Sequence, residues 1–399
     1  MIQLAEPAVR TFSTAPTAPA SRLTSVDVVR GAVMVLMALD HVRDYVTNLR
    51  FQPEDLQRAS AALFATRWVT HFCAPAFFLL AGIGIGIAMR RGRTAAEMSR
   101  YLMTRGLWLL ALELVITPVG WQFGFDLVPA FALVLWALGW SMIVMALLVH
   151  APRSAVAAFS GVLIVGHNLL DGVRSEAFGR LAPLWQFLHV PGFIVPGGLF
   201  GGYPLIPWVA VMALGYLLAE AYGWDAERRR RTLIVAGLGA IAAFLLLRAI
   251  KGYGGPVAWT AQRTTALTIA SILNLRKYPP SLLYLLMTLG PILVALALAE
   301  RARGASARWL AVYGRVPLFF YVGHIFVAHL VAMGLALVQS GELRRVPIIH
   351  NPAAIPASHG VNLPGVYVAW AIVVILMYYP CLRFARLKET RRDWWIRYL

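Results

Sequence analysis

The chain reads as an all-α, polytopic membrane helical bundle of about ten transmembrane helices with both termini in the cytoplasm, on three observations. Of its 399 residues 59% are hydrophobic and only 14% are charged, where a soluble domain averages about 45–50% and about 25%. The apolar residues gather in ten runs, each close to the ~20 residues that carry a helix across a bilayer. The basic residues then alternate by side: 21 of the 36 Lys and Arg fall in residues 1–26, 90–105, 150–154, 223–231, 300–308 and 383–399. The positive-inside rule assigns those segments, and with them both termini, to the cytoplasm.

The expected spans are 27–49, 68–89, 106–121, 130–149, 155–170, 204–222, 232–250, 281–299, 310–338 and 364–382. Residues 1–22 are rich in Ala, Pro, Thr and Ser and lack the apolar core of a signal peptide. They read as a disordered cytoplasmic tail ahead of an uncleaved signal-anchor. In span two, Pro75 is expected to kink the helix. Gly82, Gly84 and Gly86 mimic a nucleotide fingerprint, but no strand precedes them, and small residues inside a span let helices approach closely. Between spans five and six, the stretch from His189 to Pro207 is apolar yet rich in Gly and Pro. It reads as a re-entrant or interfacial lid. Pro279 and Pro280 fix the direction of the chain into span eight. Trp68, Trp121, Trp208, Trp259, Trp309, Trp394 and Trp395 sit at span ends, where they read as an aromatic belt. Residues 23–384 are thus one transmembrane domain. Residues 385–399, basic and aromatic, read as an amphipathic tail on the cytoplasmic leaflet.

Composition also excludes. The net charge of +18 is explained by topology, which argues against a nucleic-acid partner. The two cysteines, Cys73 and Cys381, both lie in expected spans, so neither a disulfide framework nor a metal site of the zinc-finger kind is expected. No internal repeat supports a transporter-style inverted pair.

The chemistry lies in the ionisable residues inside the spans, because a charge in hydrocarbon is costly unless it is paired or lines a cavity. Asp27, Arg30, Met34, Met37, His41 and Asp44 follow a 3,4,3,4,3 spacing, which places them on one stripe of one helix. Asp40, His41, Arg43 and Asp44 end the first span on the external side, and Arg67 and His71 share a helix face at the start of the second. Lys277, Tyr278, Ser281 and Tyr284 gather at the external start of span eight. Tyr321 and His324 lie within span nine, with Arg315 towards the cytoplasm. Ionisable groups therefore stand at both ends of a path: Asp40, His41, Arg67, His71 and Lys277 outside, and Asp27, Arg30, Arg105 and Arg315 inside. A small-molecule carrier and a transmembrane group transfer both need that arrangement.

Each residue also has a plainer reading. Asp27 and Arg30 form a structural ion pair at a helix start, and Arg43 satisfies Asp40 or Asp44. His41 and His71 are hydrogen-bonded histidines, in the core and at the interface, and His324 packs helices. Lys277 snorkels to headgroups.

Several segments together resemble a known family. The run from Arg22 through Asp27 and Arg30 to Gly31, then Met37-Ala-Leu-Asp40-His41, resembles the opening motif of the heparan-alpha-glucosaminide N-acetyltransferase family, in particular its bacterial relatives. The segments from Phe64 through Arg67, His71 and Pro75 to Gly82, Tyr203 to Trp208, and Lys277-Tyr-Pro-Pro-Ser281-Leu-Leu-Tyr284 fit the same relatives, as does Tyr321-Val-Gly-His324. The resemblance covers residues 22–384. It implies an acyl-CoA donor, acetyl-CoA for the known members, and a sugar amine as acceptor on the far side of the membrane. The eukaryotic members use a histidine between the first two spans, whereas this chain has none between His41 and His71. His41 stands where those enzymes have an asparagine, and His71 where they have an aspartate.

The resemblance thus implies His41 as the base, oriented by Asp44 or Asp40, with His71 as second candidate. Arg67 and Lys277 would steady an anion or oxyanion, and Tyr278, Ser281, Tyr284, Tyr321 and His324 would complete the acceptor site. Arg30, Arg105 and Arg315 would meet the donor's phosphates, which suit arginine geometry. The expected protein is a metal-free acyltransferase of the bacterial cytoplasmic (inner) membrane. Its partners would be the lipid bilayer, acyl-CoA and a glycan or small-molecule acceptor; a monomer and a homodimer both accord with the spans. A transporter of a small organic anion and a non-catalytic envelope scaffold are the alternatives.

Overall fold

The computed structural model describes residues 24–124, 130–255, 257–346 and 355–391, with 393, 396 and 398. The expected tail 1–22, together with Trp394 and Trp395, lies outside the described residues. The fold is helical: α1 Thr24–Val46, α2 Ala61–Thr70, α3 Cys73–Arg90, α4 Ala95–Ala111, α5 Thr117–Gln122, α6 Val134–Leu148, α7 Arg153–Gly166, α8 Ala182–Leu188, α9 Trp208–Leu218, α10 Ala226–Ile250, α11 Thr265–Leu273, α12 Leu282–Ala299, α13 Ala305–Arg315, α14 Pro317–Ser340 and α15 Leu363–Thr390. Their starts are set by side chains that accept the first free N–H groups. Ser60, Asp225, Thr264, Ser281 and Asn362 each accept from the backbone three residues on. Thr94 and Glu97 close a reciprocal capping box.

Seven helical stretches among the described residues are long and apolar enough to cross a membrane. The other three expected spans differ in kind. Val134–Leu148 and Trp208–Gly223 are shorter apolar helices, and α1, though 23 residues long, carries the charged stripe. Two expected spans are broken. Span two divides at His71–Phe72 between α2 and α3, one turn before Pro75. Without an N–H, Pro75 cannot bond the His71 carbonyl, and the Tyr284 hydroxyl donates to that oxygen instead, at 2.7 Å. Span nine divides at Val316, between α13 and α14, where Pro317 opens the second helix.

α1 is the central post, packed against α13, α14, α15, α12 and α3. Its closest neighbour is α13, because glycine faces glycine: a Cβ on Gly31 would stand 1.9 Å from the Leu310 carbonyl oxygen, and one on Gly314 would stand 1.8 Å from that of Asp27. The Gly82 segment of α3 packs against α9 on the same principle, as expected from its small residues, with Gly82 against Met212. The stretch expected to form a lid folds partly as sheet. Strands β1 Ala130–Ala132, β2 Gly192–Val195 and β3 Leu199–Gly201 take the order β1-β3-β2, with β1 parallel and β2 antiparallel to β3. Two tryptophans leave the expected belt. Trp208 is fully buried and stacked on Phe78 at 4.8 Å, and Trp121 turns inward beside His41, at 4.8 Å between ring centres.

Candidate functional site

The α1 stripe faces two different environments. At its Asp27 end it borders a cavity of about 870 Å³, walled by α1, α3, α4, α6 and α14. The walls are mostly apolar, with Met34, Phe77 and Leu135 among them, and Gly84 supplies no side chain. The cationic side chains Arg30, Arg91, Arg93, Arg105 and Lys388 line it as well. Of the three arginines expected to meet a donor, Arg30 and Arg105 are there. Arg30 also bonds Asp27 at 3.4 Å and the Gly314 carbonyl at 3.1 Å, while Arg105 donates to the Tyr398 carbonyl. Arg315 is not among the lining residues; it pairs with Glu389 at 3.2 Å.

Tyr321 also lines the cavity, and its ring lies 6.4 Å from that of His41, edge to face. The imidazole of His41 is paired with that of His324, with Nδ1 of His41 2.7 Å from Nε2 of His324. The far nitrogen of His324, Nδ1, lies 2.9 Å from the Phe320 carbonyl oxygen. A carbonyl only accepts, so His324 Nδ1 carries the proton and its Nε2 accepts from His41 Nδ1–H in the neutral pair. His41 Nε2 then holds the free lone pair. Two histidines 283 positions apart in the chain thereby assign one tautomer to each other.

The Asp44 end is ionic. Asp40 meets Arg67 at 2.6 Å through one oxygen and Arg43 at 2.7 Å through the other. Arg67 also holds Glu54 at 2.6 Å, and Arg43 holds Asp44 at 2.8 Å. Burial pushes the Glu54 carboxyl up, but the Arg67 guanidinium outweighs it and keeps that group below its ordinary range. The orientation expected of Asp40 or Asp44 towards His41 thus falls to His324, since both carboxylates are engaged by arginines. Lys277 is nine-tenths buried and has no carboxylate within ion-pair distance among the described residues; its ammonium faces the rings of Tyr278 and Tyr203 at 5.2 and 5.9 Å. Tyr278 donates to the Tyr203 hydroxyl at 3.2 Å.

Of the remaining expected residues, Ser281 and Tyr284 have structural partners. His71 is buried at the end of α2, with Nδ1 unbonded among the described residues. Ser281 caps α12 by accepting from Tyr284 N–H, and the Tyr284 hydroxyl serves the carbonyl that Pro75 leaves free. One buried acid stands outside the expected set. Glu113 is fully buried in a π-helical turn, Leu112–Ile116, where it accepts the Leu133 N–H at 2.7 Å. π-turns of this kind often mark functional sites; the signal for it in the sequence was a lone acid within an apolar run.

Residues 22–248 match the family model of the heparan-alpha-glucosaminide N-acetyltransferase catalytic domain. The chain belongs to that family. No curated protein matches it. The matched stretch contains Arg30, His41, Arg67, His71 and Arg105, whereas Lys277, Tyr321 and His324 lie beyond it. The family and the apolar helices together make this a multi-pass membrane protein of an acetyltransferase family. Among the described residues, no group of three or more His, Cys, Asp or Glu is placed to hold a metal.

Proposed function

We propose that this protein moves an acyl group, acetyl in the first instance, from cytosolic acyl-CoA to a glycan or small acceptor outside the bacterial inner membrane. The observation that carries the reading is the cavity with basic residues in its wall and Tyr321, next to the His41–His324 pair, in the same wall. Arg30 and His41 stand eleven positions apart on α1, about 16 Å along its axis. Phosphates held by Arg30 and Arg105 would leave the donor's apolar arm to run between α1, α3 and α6 towards Tyr321. The acceptor's nitrogen or oxygen gives its proton to His41 Nε2 and bonds the thioester carbonyl carbon. The C–S bond then breaks, and the departing thiolate takes the proton that His41 carries. His324 orients His41 and spreads the charge of the transient imidazolium. Lys277, with no carboxylate at ion-pair distance among the described residues, would steady the oxyanion, whereas Arg67 is committed to Asp40 and Glu54. His71 remains the second candidate base.

The test is thiol release from acetyl-CoA by protein in lipid nanodiscs, with His41→Ala and His71→Ala beside it. Release lost in His41→Ala and kept in His71→Ala supports the assignment; the converse moves the base to His71. Absence of release and of thermal stabilisation by any acyl-CoA refutes the transferase, and counter-flow of an organic anion in liposomes would then identify a carrier.

A further inference from the structure

The buried histidines differ in what their ring nitrogens face. His324 and His329 each meet one carbonyl oxygen and one nitrogen. His329, for example, has Nδ1 3.3 Å from the Gly120 carbonyl oxygen and accepts the Val346 N–H through Nε2, so a neutral ring satisfies both sides. His167, at the end of α7 and 1% exposed, is different. Its Nδ1 lies 2.9 Å from the Leu163 carbonyl oxygen and 3.1 Å from that of Ile164, and its Nε2 lies 2.8 Å from that of Pro280. Carbonyls only accept, and a neutral imidazole has one N–H, so it serves one side and turns a lone pair on the other. The imidazolium serves both.

The surroundings set burial against a favourable field. Leu163 and Ile164 are in the last turn of α7, the end of a helix whose dipole favours positive charge. The ionisable neighbours are His189, 6.3 Å away between ring centres, and Asp171, which stands 3.2 Å from His189 Nε2 and accepts from the Asn168 amide at 2.8 Å. Arg276 acts on Asp171 from the opposite side, and the Tyr253 hydroxyl donates to the Val165 carbonyl. Lys277 and Tyr278 precede Pro280 on its own turn. Pro280 pairs with Lys277 as a single antiparallel bridge, and the Ser281 N–H donates to the Arg276 carbonyl at 3.2 Å. The Pro280 carbonyl is therefore one corner of the turn that presents Lys277. Asn168 also joins α7 to this turn, by accepting the Leu282 N–H at 2.8 Å, but that bond needs no added proton.

We propose that His167 is a proton-dependent positioning residue: its imidazolium ties the last turn of α7 to Pro280 and fixes the turn that presents Lys277, and the neutral ring lets one side go. Acid therefore tightens the turn. The consequence for catalysis rests on the transferase reading, which gives Lys277 its task; the clamp itself does not. The test is hydrogen exchange at the amides of Ser281, Leu282 and Leu283 in nanodiscs from pH 8 to pH 4.5, each rate divided by the intrinsic rate at that pH. His167→Gln, His167→Lys and His189→Gln are measured beside the unsubstituted protein.

Protection in the unsubstituted protein should rise roughly tenfold or more towards acid, the worth of a charge-assisted hydrogen bond. It should stay low and flat in His167→Gln, stay high and flat in His167→Lys, a constant cation, and still rise in His189→Gln. Flat protection in the unsubstituted protein, or a rise that His167→Gln or His167→Lys retains, overturns the clamp. A rise lost only in His189→Gln overturns it too, since the titrating group is then the His189–Asp171 pair. Should His167→Gln fail to fold, His167→Lys and His189→Gln still decide. Thiol release from acetyl-CoA by the unsubstituted protein is recorded in parallel. Release with flat protection refutes the clamp alone, and acid-dependent protection without release refutes the transferase alone.

Discussion

The two ends of α1 handle charge in opposite ways. At the Asp27 end, cationic side chains line open space. At the Asp44 end, Asp40, Asp44 and Glu54 are divided between Arg43 and Arg67 at 2.6–2.8 Å. A buried charge must be compensated from somewhere; at the Asp44 end carboxylates and guanidiniums answer one another directly, whereas at the Asp27 end basic side chains with partners of their own also border a cavity. His41 lies at the boundary, close to the ionic network by sequence and bonded to neither carboxylate. The proposed base, His41, is therefore held by a neutral partner, His324, and not by the charges around it.

The most severe break of that boundary is His41→Ala, which should reduce thiol release by roughly the 10²–10⁴-fold that a positioned base contributes. His324→Ala should approach that loss, since it frees His41 to take the other tautomer, while leaving the KM for acyl-CoA nearly unchanged. Equal fall in kcat and retention of KM is the signature to seek; a rise in KM alone would make His324 a binding residue.

Breaking the self-sufficient end should cost folding before it costs chemistry. Arg67→Met strands Glu54 and leaves Asp40 to Arg43 alone, and removal of one partner of a buried pair costs about 3–5 kcal/mol. The expected result is a large drop in the unfolding temperature or loss of folded protein. An Arg67→Met, Asp40→Asn, Glu54→Gln triple variant should recover much of it, and failure to recover would mean that Arg67 does more than pair.

The open end predicts the reverse pattern. Arg105→Ala should raise the KM for acyl-CoA about 10–100-fold, the worth of a charge-assisted contact, with kcat and stability little changed. Arg315→Ala, whose side chain meets Glu389 and is not among those that line the cavity, should leave KM unmoved. Equal effects would erase the distinction between the two arginines.

How much of this was legible depends on what sequence periodicity reports. The α1 stripe is readable because residues three and four apart share a helix face, and the cost of charge in lipid makes that pattern a candidate site. Arg30 and Arg105, expected by the same logic, line the cavity. Arg91, Arg93 and Lys388 were read as topological charge or tail, because a basic residue at a span end looks alike whether it faces headgroups or a cavity. The His41–His324 pair could not be read, since no local pattern links residues 283 apart. Pro75 signals the division of span two at His71, but hydropathy counts apolar residues without detecting breaks, so the division at Val316 and the short α6 and α9 read as whole spans. Ser281 and Tyr284 were drawn into the site by proximity in sequence to Lys277. The structure gives them a cap and an orphaned carbonyl, and Tyr284→Phe should accordingly cost about 1–3 kcal/mol of stability with kcat unchanged in the protein that folds.

The finest test of the self-compensated end is its response to acid. Folding lowers the Glu54 carboxyl below its ordinary value of 4.5, because Arg67 outweighs the effect of burial. The unfolded chain therefore binds this proton more readily than the folded protein. The contribution of Glu54 is fully present above about pH 4.5 and is lost as pH falls through the lowered folded value. The side chain is 30% exposed, so solvent screening holds the contribution to about 1 kcal/mol or less. Unfolding midpoints measured between pH 7 and pH 3 should fall more steeply below pH 4.5 for the unsubstituted protein than for Glu54→Gln. Parallel curves would mean that Arg67 is compensated in effect by Asp40 alone and that the Glu54 pair adds nothing to stability.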